Sequence, residues 1–427
     1  MTLVIKNGRV VDPTQGLDEV LDIRVQDGVI VEVGHDLSAD ETLEAKGRVV
    51  TPGLIDMHVH LREPGLEYKE TISTGTRAAA KGGFTAVACM PNTVPVNDCA
   101  AVTAQILAIA AQEGVVRVYP IGAVTRGSKG AELTEMAELR RSGCVAVSDD
   151  GKPVESANKM QLAMEYASAF GLTVHSHCED LDLVQGGDMN EGPVCTRLGL
   201  RPNTPVAEEL MAAREILLAR SLGVRVHLCH ISTRGSVELV RWAKGLGVQV
   251  SCETCPHYIC GTDDLVEGYD TNTRVNPPLR SQDDRQAILE GLMDGTIDAI
   301  ATDHAPHHAD EKLVEYQLAA NGISGLESAF GLCYTELVSS GRMTLSDLVE
   351  RMSVHPASLL GVPGGSLQVG QPADITVWDL ETTYAIDPAH FVSKGHNNPF
   401  GGWKVQGRAI HTVVGGKPVL VEGQLAE

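Results

Sequence analysis

Residues 53–60 read Gly53-Leu54-Ile55-Asp56-Met57-His58-Val59-His60, an apolar run of strand length that ends in two histidines. Seven more runs of this kind follow, and stretches with helical spacing separate several of them, at 100–112, 159–170 and 206–222. The eight runs are 53–60, 85–90, 116–121, 144–147, 172–177, 224–230, 248–252 and 297–302. Eight alternations of strand and helix predict an α/β protein with a TIM-type (β/α)8 barrel.

A doubly wound open sheet is the alternative arrangement of the same elements. Such a sheet binds dinucleotides through a Gly-x-Gly-x-x-Gly turn after its first strand. No such turn follows residues 53–60, where the chain continues Leu61-Arg62-Glu63-Pro64. The barrel is therefore the favoured prediction.

The two ends of the chain follow a different pattern from the middle. Residues 1–51 alternate apolar and polar side chains, with predicted turns at Asn7-Gly8 and Asp27-Gly28, and residues 364–427 show the same alternation. A period of two is typical of half-buried strands. Neither end is long enough for a core of its own. We therefore expect residues 1–51 and 364–427 to form one small β-sandwich domain beside a barrel at 52–363.

The composition restricts the class of protein. The chain has 427 residues, a formal net charge of −22 and 4% aromatic residues. Nucleic acids and anionic membranes select basic surfaces, which argues against both as partners. No apolar run approaches the ~20 residues of a membrane-spanning helix, and the first residues lack the pattern of a signal peptide. Ten scattered Cys residues are typical of reduced thiols, so we expect a cytoplasmic enzyme.

Polar side chains follow the ends of the predicted barrel strands. Parallel barrel strands all end at one face, where barrel enzymes carry their active sites. Imidazole and carboxylate groups gathered at that face suit a borderline metal ion such as Zn²⁺. The residues at these positions are His58, His60, Asn92, Asp149, Asp150, His177, His230, Asp303 and His304.

Each candidate ligand also has an ordinary structural interpretation. His58 and His60 lie two residues apart on one strand, so both can face the barrel mouth, but two surface histidines would show the same spacing. His177 and His230 could be hydrogen-bonded core residues. Asp303 could cap a helix, although no obvious helix begins after it, or it could bind a metal and take a proton from water. The convergence of several such residues favours the metal site.

Seven segments combine into a specific pattern: 52–62, 90–93, 177–179, 230–233, 276–280, 301–307 and 370–374. Together they resemble the cyclic amidohydrolases of the amidohydrolase superfamily, and most closely the class I, bacterial-type dihydroorotase family, over essentially the whole chain. The resemblance implies the barrel with its split β domain and one or two Zn²⁺ ions. It also implies the reversible cyclisation of N-carbamoyl-L-aspartate to L-dihydroorotate in pyrimidine biosynthesis. The implied ligands are His58, His60, Asp150, His177, His230 and Asp303, with Asp303 as the catalytic base.

The end of the fourth strand distinguishes branches of this superfamily. Hydantoinases, allantoinases and many dihydroorotases carry a carboxylated Lys there, which bridges two metal ions. This chain has Ser148-Asp149-Asp150-Gly151-Lys152 instead, which resembles the class I dihydroorotases, with Asp150 as the ligand. We expect Lys152, which lies beyond a Gly, to be a solvated loop residue. The number of metal ions stays open.

The implied substrates are carboxylates, so an acidic protein must bind them through local cations. Arg62, two residues past His60, can hold the α-carboxylate with two hydrogen bonds. An ion pair of Arg62 with Glu63 or Glu67 is the alternative. The resemblance implies a wider set of substrate-binding residues: His60, Leu61, Arg62, Asn92, Asn276, His307, Asn321 and Gly322.

Two other functions stay open. An allantoinase or another hydantoinase-like hydrolase predicts a Lys on strand four and no carboxylate clamp. A non-catalytic scaffold for aspartate transcarbamoylase would lack metal ligands, and all six are present here. The resemblance also allows a homodimer and an association of the active enzyme with aspartate transcarbamoylase.

Several other polar residues have structural interpretations. Cys252 and Cys255 have no second pair with which to form a zinc knuckle, so we expect buried thiols. We interpret His304 and His308 as loop residues. We interpret the charges at 311–312 as solvated surface.

Overall fold

The computed structural model describes residues 2–426 and contains two main sheets. Its strands, numbered along the chain, are β1 (Thr2–Asp12), β2 (Leu17–Gln26), β3 (Val29–Gly34), β4 (Glu41–Glu44), β5 (Val49–Pro52), β6 (Leu54–Val59), β7 (Phe84–Cys89), β8 (Arg117–Gly122), β9 (Ala146–Val147), β10 (Val174–Ser176), β11 (Met189–Asn190), β12 (Pro202–Asn203), β13 (Val226–Leu228), β14 (Val250–Thr254), β15 (Ala299–Ile300), β16 (Ile375–Asp379), β17 (Tyr384–Ala385), β18 (Lys404–Val405), β19 (Arg408–Val414), β20 (Lys417–Val421) and β21 (Gln424–Leu425).

The helices lie mainly between the strands of the middle segment. They are α1 (Ile72–Lys81), α2 (Ala100–Glu113), α3 (Met136–Ser142), α4 (Ala157–Ala169), α5 (Leu181–Val184), α6 (Pro193–Leu198), α7 (Pro205–Leu222), α8 (Arg234–Gly245), α9 (Pro256–Cys260), α10 (Gln282–Met293), α11 (Ala309–Lys312), α12 (Ala329–Cys333), α13 (Leu345–Val349) and α14 (His355–Leu360). The predicted helical stretches correspond to α2, α4 and α7. Among residues 2–426, no helix combines the length and the apolar character that a membrane crossing requires.

The middle segment forms the predicted barrel. Its eight-stranded sheet has the order β6-β7-β8-β9-β10-β13-β14-β15, and every pairing in it is parallel. The first and last strands meet through a parallel bridge between Val59 and His304, with the His60 amide donating to the His304 carbonyl at 2.8 Å. The prediction of a (β/α)8 barrel is therefore confirmed.

Four helices of the barrel, α1, α4, α8 and α10, begin at residues whose side chains cap them. At α1, the Thr71 hydroxyl accepts from the Thr74 amide, and the Thr74 side chain accepts from the Thr71 amide. Such reciprocal bonds satisfy amide groups that the helix itself leaves without partners. Buried aliphatic residues then pack each helix onto the outside of the strands, in the main hydrophobic core of the molecule.

The two chain ends share one mostly antiparallel sheet, with the order β21-β20-β19-β16-β5-β1-β2-β3 and β4 paired to β1. Its buried cluster mixes residues from both ends, including Ile5, Ile23 and Val50 with Ile375 and Val413. Neither end could bury these side chains without the other. The prediction of a small β domain built from both ends is confirmed, and the exact boundaries at 51/52 and 363/364 stay predictions.

One of the two predicted hairpin turns is wrong. Asp27 and Gly28 both have positive φ, at 51° and 82°, and join β2 to β3 as predicted. Asn7 and Gly8 instead lie inside β1, where the pairing register with β2 shifts between Ile5 and Gly8. A Cβ atom at Gly8 would lie 2.4 Å from Val50 Cγ2, so the glycine is needed for close packing. The dipeptide marks a β-bulge.

Trp378 of β16 joins the small β domain to the barrel. Its ring stacks on Phe330 with the ring centroids 3.7 Å apart, and its Nε1 donates to Thr51 Oγ1 at 2.9 Å. Gly83 has a φ of +84°, and a Cβ atom there would lie 2.2 Å from Trp378 Cη2. The barrel therefore approaches this ring as closely as a glycine allows.

We expect Trp378→Ala to lower the free energy of unfolding by about 3–5 kcal/mol, because it removes a fully buried aromatic side chain. Urea unfolding followed by circular dichroism measures this change. The matched control is Trp242→Ala on α8, where the side chain is 47% exposed. We expect the control to change stability by no more than about 0.5 kcal/mol. Equal losses in the two variants would contradict the role of Trp378 at this junction.

Candidate active site

The carboxyl ends of the barrel strands surround a cleft of about 570 Å³. The predicted residues reach it from different strands, because parallel strands end at the same face. One predicted ligand, His58, is fully buried beneath the cleft and contacts its floor. The lining residues are His60, Arg62, Asn92, Asp150, Gly151, His177, His230, Val275, Asn276, Asp303, Ala305, His307, Asn321 and Gly322.

Asp150 lies at the centre of the predicted ligands. Its Oδ1 lies 3.3 Å from His58 Nε2, 3.5 Å from His230 Nε2 and 3.8 Å from His177 Nδ1. Its Oδ2 lies 3.4 Å from His60 Nε2. One carboxylate thus touches imidazoles from the first, fifth and sixth barrel strands.

Asp303 approaches the same point from the eighth strand. Its Oδ1 lies 3.0 Å from His60 Nε2 and 3.5 Å from His58 Nε2. His177 Nδ1 and His230 Nε2 complete the cluster, 2.9 Å apart. All six predicted ligands therefore converge on one small volume. Two subsets, His58 with His60 and Asp303, and His58 with Asp150 and His230, each bring their ligand atoms within 4.8 Å of one another.

The donor chemistry of this cluster fits a metal ion. His58 Nδ1 contacts Glu253 Oε1 at 2.6 Å and His60 Nδ1 contacts Asn92 Oδ1 at 2.8 Å, so both Nδ1 atoms are the donors in these bonds. Each Nε2 atom is then left to face carboxylate oxygens. Neither His58 Nε2 nor Asp150 Oδ1 has a hydrogen-bond partner among the described residues. Buried acceptors that face one another are stabilised by a positive charge between them, which a metal ion supplies.

The electrostatics of the cluster also favour positive charge. Burial opposes protonation of His58, but the carboxylates of Asp150 and Glu253 outweigh it and raise the pKa of His58 well above its ordinary value. Burial would raise the pKa of Asp150, but His58 and the other imidazoles hold it well below its ordinary range. The buried carboxylate is therefore ionised, in the form that binds a metal.

Two glutamates orient the histidines, and the sequence prediction missed both. Glu253 is fully buried on β14 and holds His58, while its second oxygen lies 3.3 Å from His227 Nε2. Glu179 Oε2 lies 3.1 Å from His177 Nε2. Carboxylates behind metal-binding histidines fix the ring orientation and tautomer. The i, i+2 spacing of His177 and Glu179 is a signal that could have identified the second glutamate.

Three site residues have a backbone conformation that side chains rarely adopt. Arg62, His230 and Asp303 have φ angles of 61°, 33° and 46°. Non-glycine residues in this region cost on the order of 1–3 kcal/mol each, and such strain clusters at functional sites. The surrounding barrel therefore holds these side chains in place against a local preference for other conformations.

The outer end of the cleft is cationic. Arg62 Nε donates to the Pro306 carbonyl at 3.3 Å, and its Nη2 lies 3.4 Å from His307 Nε2. Lys69 Nζ lies 3.3 Å from His307 Nδ1, and the sequence prediction missed this lysine. Burial together with Arg62 and Lys69 lowers the pKa of His307 to about 3, so the imidazole is neutral.

The predicted alternative for Arg62 was an ion pair with Glu63 or Glu67. Glu63 accepts from the Ile72 amide at 2.8 Å, and Glu67 accepts from the Gly65 amide at 2.6 Å. Both carboxylates therefore serve local backbone groups. Arg62 is only 9% exposed and its guanidinium borders the cleft.

The remaining predicted substrate-binding residues divide into two groups. Asn276 lines the cleft and donates to Glu179 Oε2 at 3.1 Å. Asn321 and Gly322 line it too, and the Asn321 carbonyl lies 2.8 Å from His307 Nε2. Leu61 does not line the cleft, because its side chain belongs to the hydrophobic core between the strands and helices. The structure gives this leucine a packing role.

His304 lies in the loop after β15 as predicted, although it is buried, and the interpretation of Lys312 as solvated surface is wrong. His304 is 1% exposed, where its Nδ1 accepts from the Gly325 amide at 3.2 Å and its Nε2 lies 3.3 Å from Glu70 Oε2. Lys312 is 6% exposed, and burial lowers its pKa to about 7. The Lys312 ammonium donates to three carbonyls, those of residues 271, 274 and 320. Backbone carbonyls from segments far apart in the sequence replace water around this charge.

Other interpretations agree with the structure. Lys152 is exposed and lies in the turn after Asp150. Cys252 and Cys255 are buried, free thiols.

Known proteins of two kinds are similar to the whole chain. The dihydro-orotase-like family model matches residues 47–236. The dihydroorotase of Geobacter metallireducens is 55% identical over 98% of this chain and 99% of its own length, and that of Acetivibrio thermocellus is 52% identical over the same shares. Among solved structures, the L-hydantoinase of Arthrobacter aurescens has a TM-score of 0.90 and 27% identity, covering 100% of this chain and 97% of its own.

The similarity to the solved structure over the whole chain agrees with the barrel and the split β domain. Identity above half over nearly the full length of both chains distinguishes the relatives called dihydroorotase from the more distant hydantoinase. The chain belongs to the dihydroorotase family of cyclic amidohydrolases.

Proposed function

We propose that this enzyme interconverts L-dihydroorotate and N-carbamoyl-L-aspartate at the cleft above Asp150. The observation that carries the proposal is that the two ends of one cleft carry different chemical groups. The inner end gathers imidazoles and carboxylates around Asp150, and the outer end holds the Arg62 guanidinium. A substrate with an amide to be cleaved and a carboxylate to be held fits such a cleft.

The metal that we propose for the inner end is Zn²⁺, one or two ions per chain, held by the six residues around Asp150. Its borderline character suits a mixture of imidazole nitrogens and carboxylate oxygens. When bound, it would act as a Lewis acid on the ring carbonyl and activate the attacking water. Glu253, Glu179 and Asn92 would hold the imidazoles in the orientation that binds it.

Asp303 would move the proton. Its carboxylate faces the cleft beside His60, and the barrel holds residue 303 in a backbone conformation with positive φ. During hydrolysis it would accept a proton from the attacking water and return it to the ring nitrogen as the amide bond breaks. During ring closure it would take the proton from the carbamoyl nitrogen as that nitrogen attacks the carboxyl carbon, and it would return the proton to the carboxyl hydroxyl group, which leaves as water.

Arg62 would hold the α-carboxylate, with Asn92 and His307 beside it. The neutral His307 can approach a substrate anion because Lys69 and Arg62 supply the positive charge nearby. Asn276 and the backbone at 321–322 would contact the amide edges of the ring. In a protein with a net charge of −22, such local cations are required to attract a dianion.

The same observations bear on the alternative functions and on the predicted partners. A hydantoinase-like activity is disfavoured, because the fourth strand ends in Asp150 and relatives above 50% identity are named dihydroorotase. The complete ligand set disfavours a non-catalytic scaffold. A homodimer, an association with aspartate transcarbamoylase and a cytoplasmic location stay predictions of the family resemblance.

We expect Asp303→Asn to lower kcat for dihydroorotate by about 10²–10⁴-fold, because an amide cannot accept the proton. The measurement is steady-state hydrolysis with circular dichroism to verify folding. Asp310→Asn is the matched control, since its carboxylate is 87% exposed on α11. Activity of Asp303→Asn within a few-fold of the unmodified enzyme would remove Asp303 from the mechanism.

We expect Lys152→Ala to keep both metal content and activity, because the exposed Lys152 does not belong to the ligand cluster. Asp150→Ala is the contrasting variant and should lose both, since it removes the carboxylate that contacts four imidazoles. Metal analysis of purified protein and the dihydroorotate assay measure these effects. Loss of activity in Lys152→Ala with recovery in bicarbonate would show that a carboxylated lysine is the ligand instead.

We expect Arg62→Met to lower kcat/KM for dihydroorotate by roughly 10- to 200-fold, because a charge-assisted pair contributes on the order of 1.5–3 kcal/mol. Dihydrouracil is the same ring without the carboxylate, so its slow hydrolysis should change little. Assays of both substrates with both proteins test this. An equal loss for the two substrates would mean that Arg62 supports the fold or the metal cluster.

A further inference from the structure

A segment of the C-terminal part of the chain crosses the rim of the barrel beside the active site. We call residues 393–398 the C-terminal strap. It lies against the loop after β15 and against the segment of Ser324: a Cβ atom at Gly395 would lie 2.4 Å from Pro306 Cβ and 2.6 Å from Ser324 Oγ. The strap therefore packs as closely on this loop as a glycine allows.

Asn397 of the strap connects two loops that line the cleft. Its Oδ1 accepts from the His307 amide at 3.0 Å and from Ser324 Oγ at 2.9 Å. Its Nδ2 donates to the Ala305 carbonyl at 3.0 Å and to the Gly322 carbonyl at 2.9 Å. The side chain is 3% exposed and uses its full hydrogen-bonding capacity on these loops.

The two loops carry residues at the outer end of the cleft. The first holds His307, and the second holds Gly322, which has a φ of +151°. A Cβ atom at Gly322 would lie 2.5 Å from the Ala305 carbonyl oxygen and 3.0 Å from His307 Cδ2. The loops touch each other here because Gly322 has no side chain. The distance between the two loops therefore depends on the groups that bind both of them outside the cleft.

We infer that Asn397 is a positioning residue, which sets the distance between His307 and Gly322 and so the width of the carboxylate-binding end of the cleft. The inference rests on the proposed function for the identity of the substrate. Asn397 contacts neither the candidate metal ligands nor the cleft itself. Its effect would reach the substrate through the backbone at residues 305–307 and 322.

The adjacent Asn398 provides a matched control. It is also buried, at 4% exposure, but its Nδ2 donates to the Ser324 carbonyl and to Ser328 Oγ, and its Oδ1 accepts from the Phe400 amide. Asn398 therefore binds the strap to the loop of Gly322, but it does not connect that loop to the loop of His307. A purely structural role of buried asparagines predicts equal effects of Asn397→Ala and Asn398→Ala.

The test compares Asn397→Ala, Asn397→Asp and Asn398→Ala. Asn397→Asp keeps the size of the side chain but loses both donated hydrogen bonds. We expect kcat/KM for dihydroorotate to fall by about 10- to 100-fold in both Asn397 variants, mainly through KM, because small displacements of binding groups cost this much. Dihydrouracil hydrolysis and metal content should stay within threefold. Asn398→Ala should keep its KM within threefold.

Hydrogen exchange provides a measurement that is independent of activity. We expect the amides of peptides covering 303–308 and 321–324 to exchange faster in Asn397→Ala than in Asn398→Ala, relative to the unmodified protein. An unchanged exchange rate, or an equal rise of KM in Asn398→Ala at a matched unfolding temperature, would overturn the inference. An unmodified enzyme inactive on dihydroorotate would contradict the proposed function instead, and the exchange rates would still decide whether Asn397 holds the loops.

Discussion

The carboxylate of Asp150 contacts four imidazoles that come from three other barrel strands, and much of the structure serves this arrangement. Buried acceptors repel one another unless a cation lies between them, so they must be held from outside. Glu253, Glu179 and Asn92 do this by binding the far side of the imidazole rings. The barrel interior thus has a layer of candidate metal ligands and a second layer of side chains that orients them.

The need to hold these side chains in the cluster also explains where the backbone is strained. His230 and Asp303 have positive φ angles at the ends of their strands, where the chain turns to direct a side chain into the cleft. The closure of the barrel stabilises these conformations, since the Thr302 amide binds Asp56 and the His60 amide binds the His304 carbonyl. Rigid strands therefore hold conformations that a free loop would leave.

The small β domain contributes to the site through its C-terminal half. Trp378 packs the shared sheet against the barrel, and the C-terminal strap continues from this segment to the loops around His307 and Gly322. Residues from the first 51 positions are needed as well, because they complete the core beneath β16. The C-terminal half of this domain thus contacts the barrel at Trp378 and, through the strap, at two loops that line the cleft.

The sequence by itself determined the barrel, the shared β domain and the positions of the six candidate ligands. Strand period and parallel topology place every strand end at one face, whatever the details of packing, and the family resemblance implied which six of the polar residues there are ligands. Only the tertiary structure decided the roles of Glu253, Lys69, Lys312 and Asn397, and showed that Leu61 is a core residue and Asn7-Gly8 a bulge. These roles depend on contacts between segments far apart in the chain. Local patterns carry no information about such contacts, because the orientation of a buried polar side chain is set by the partners that packing brings to it.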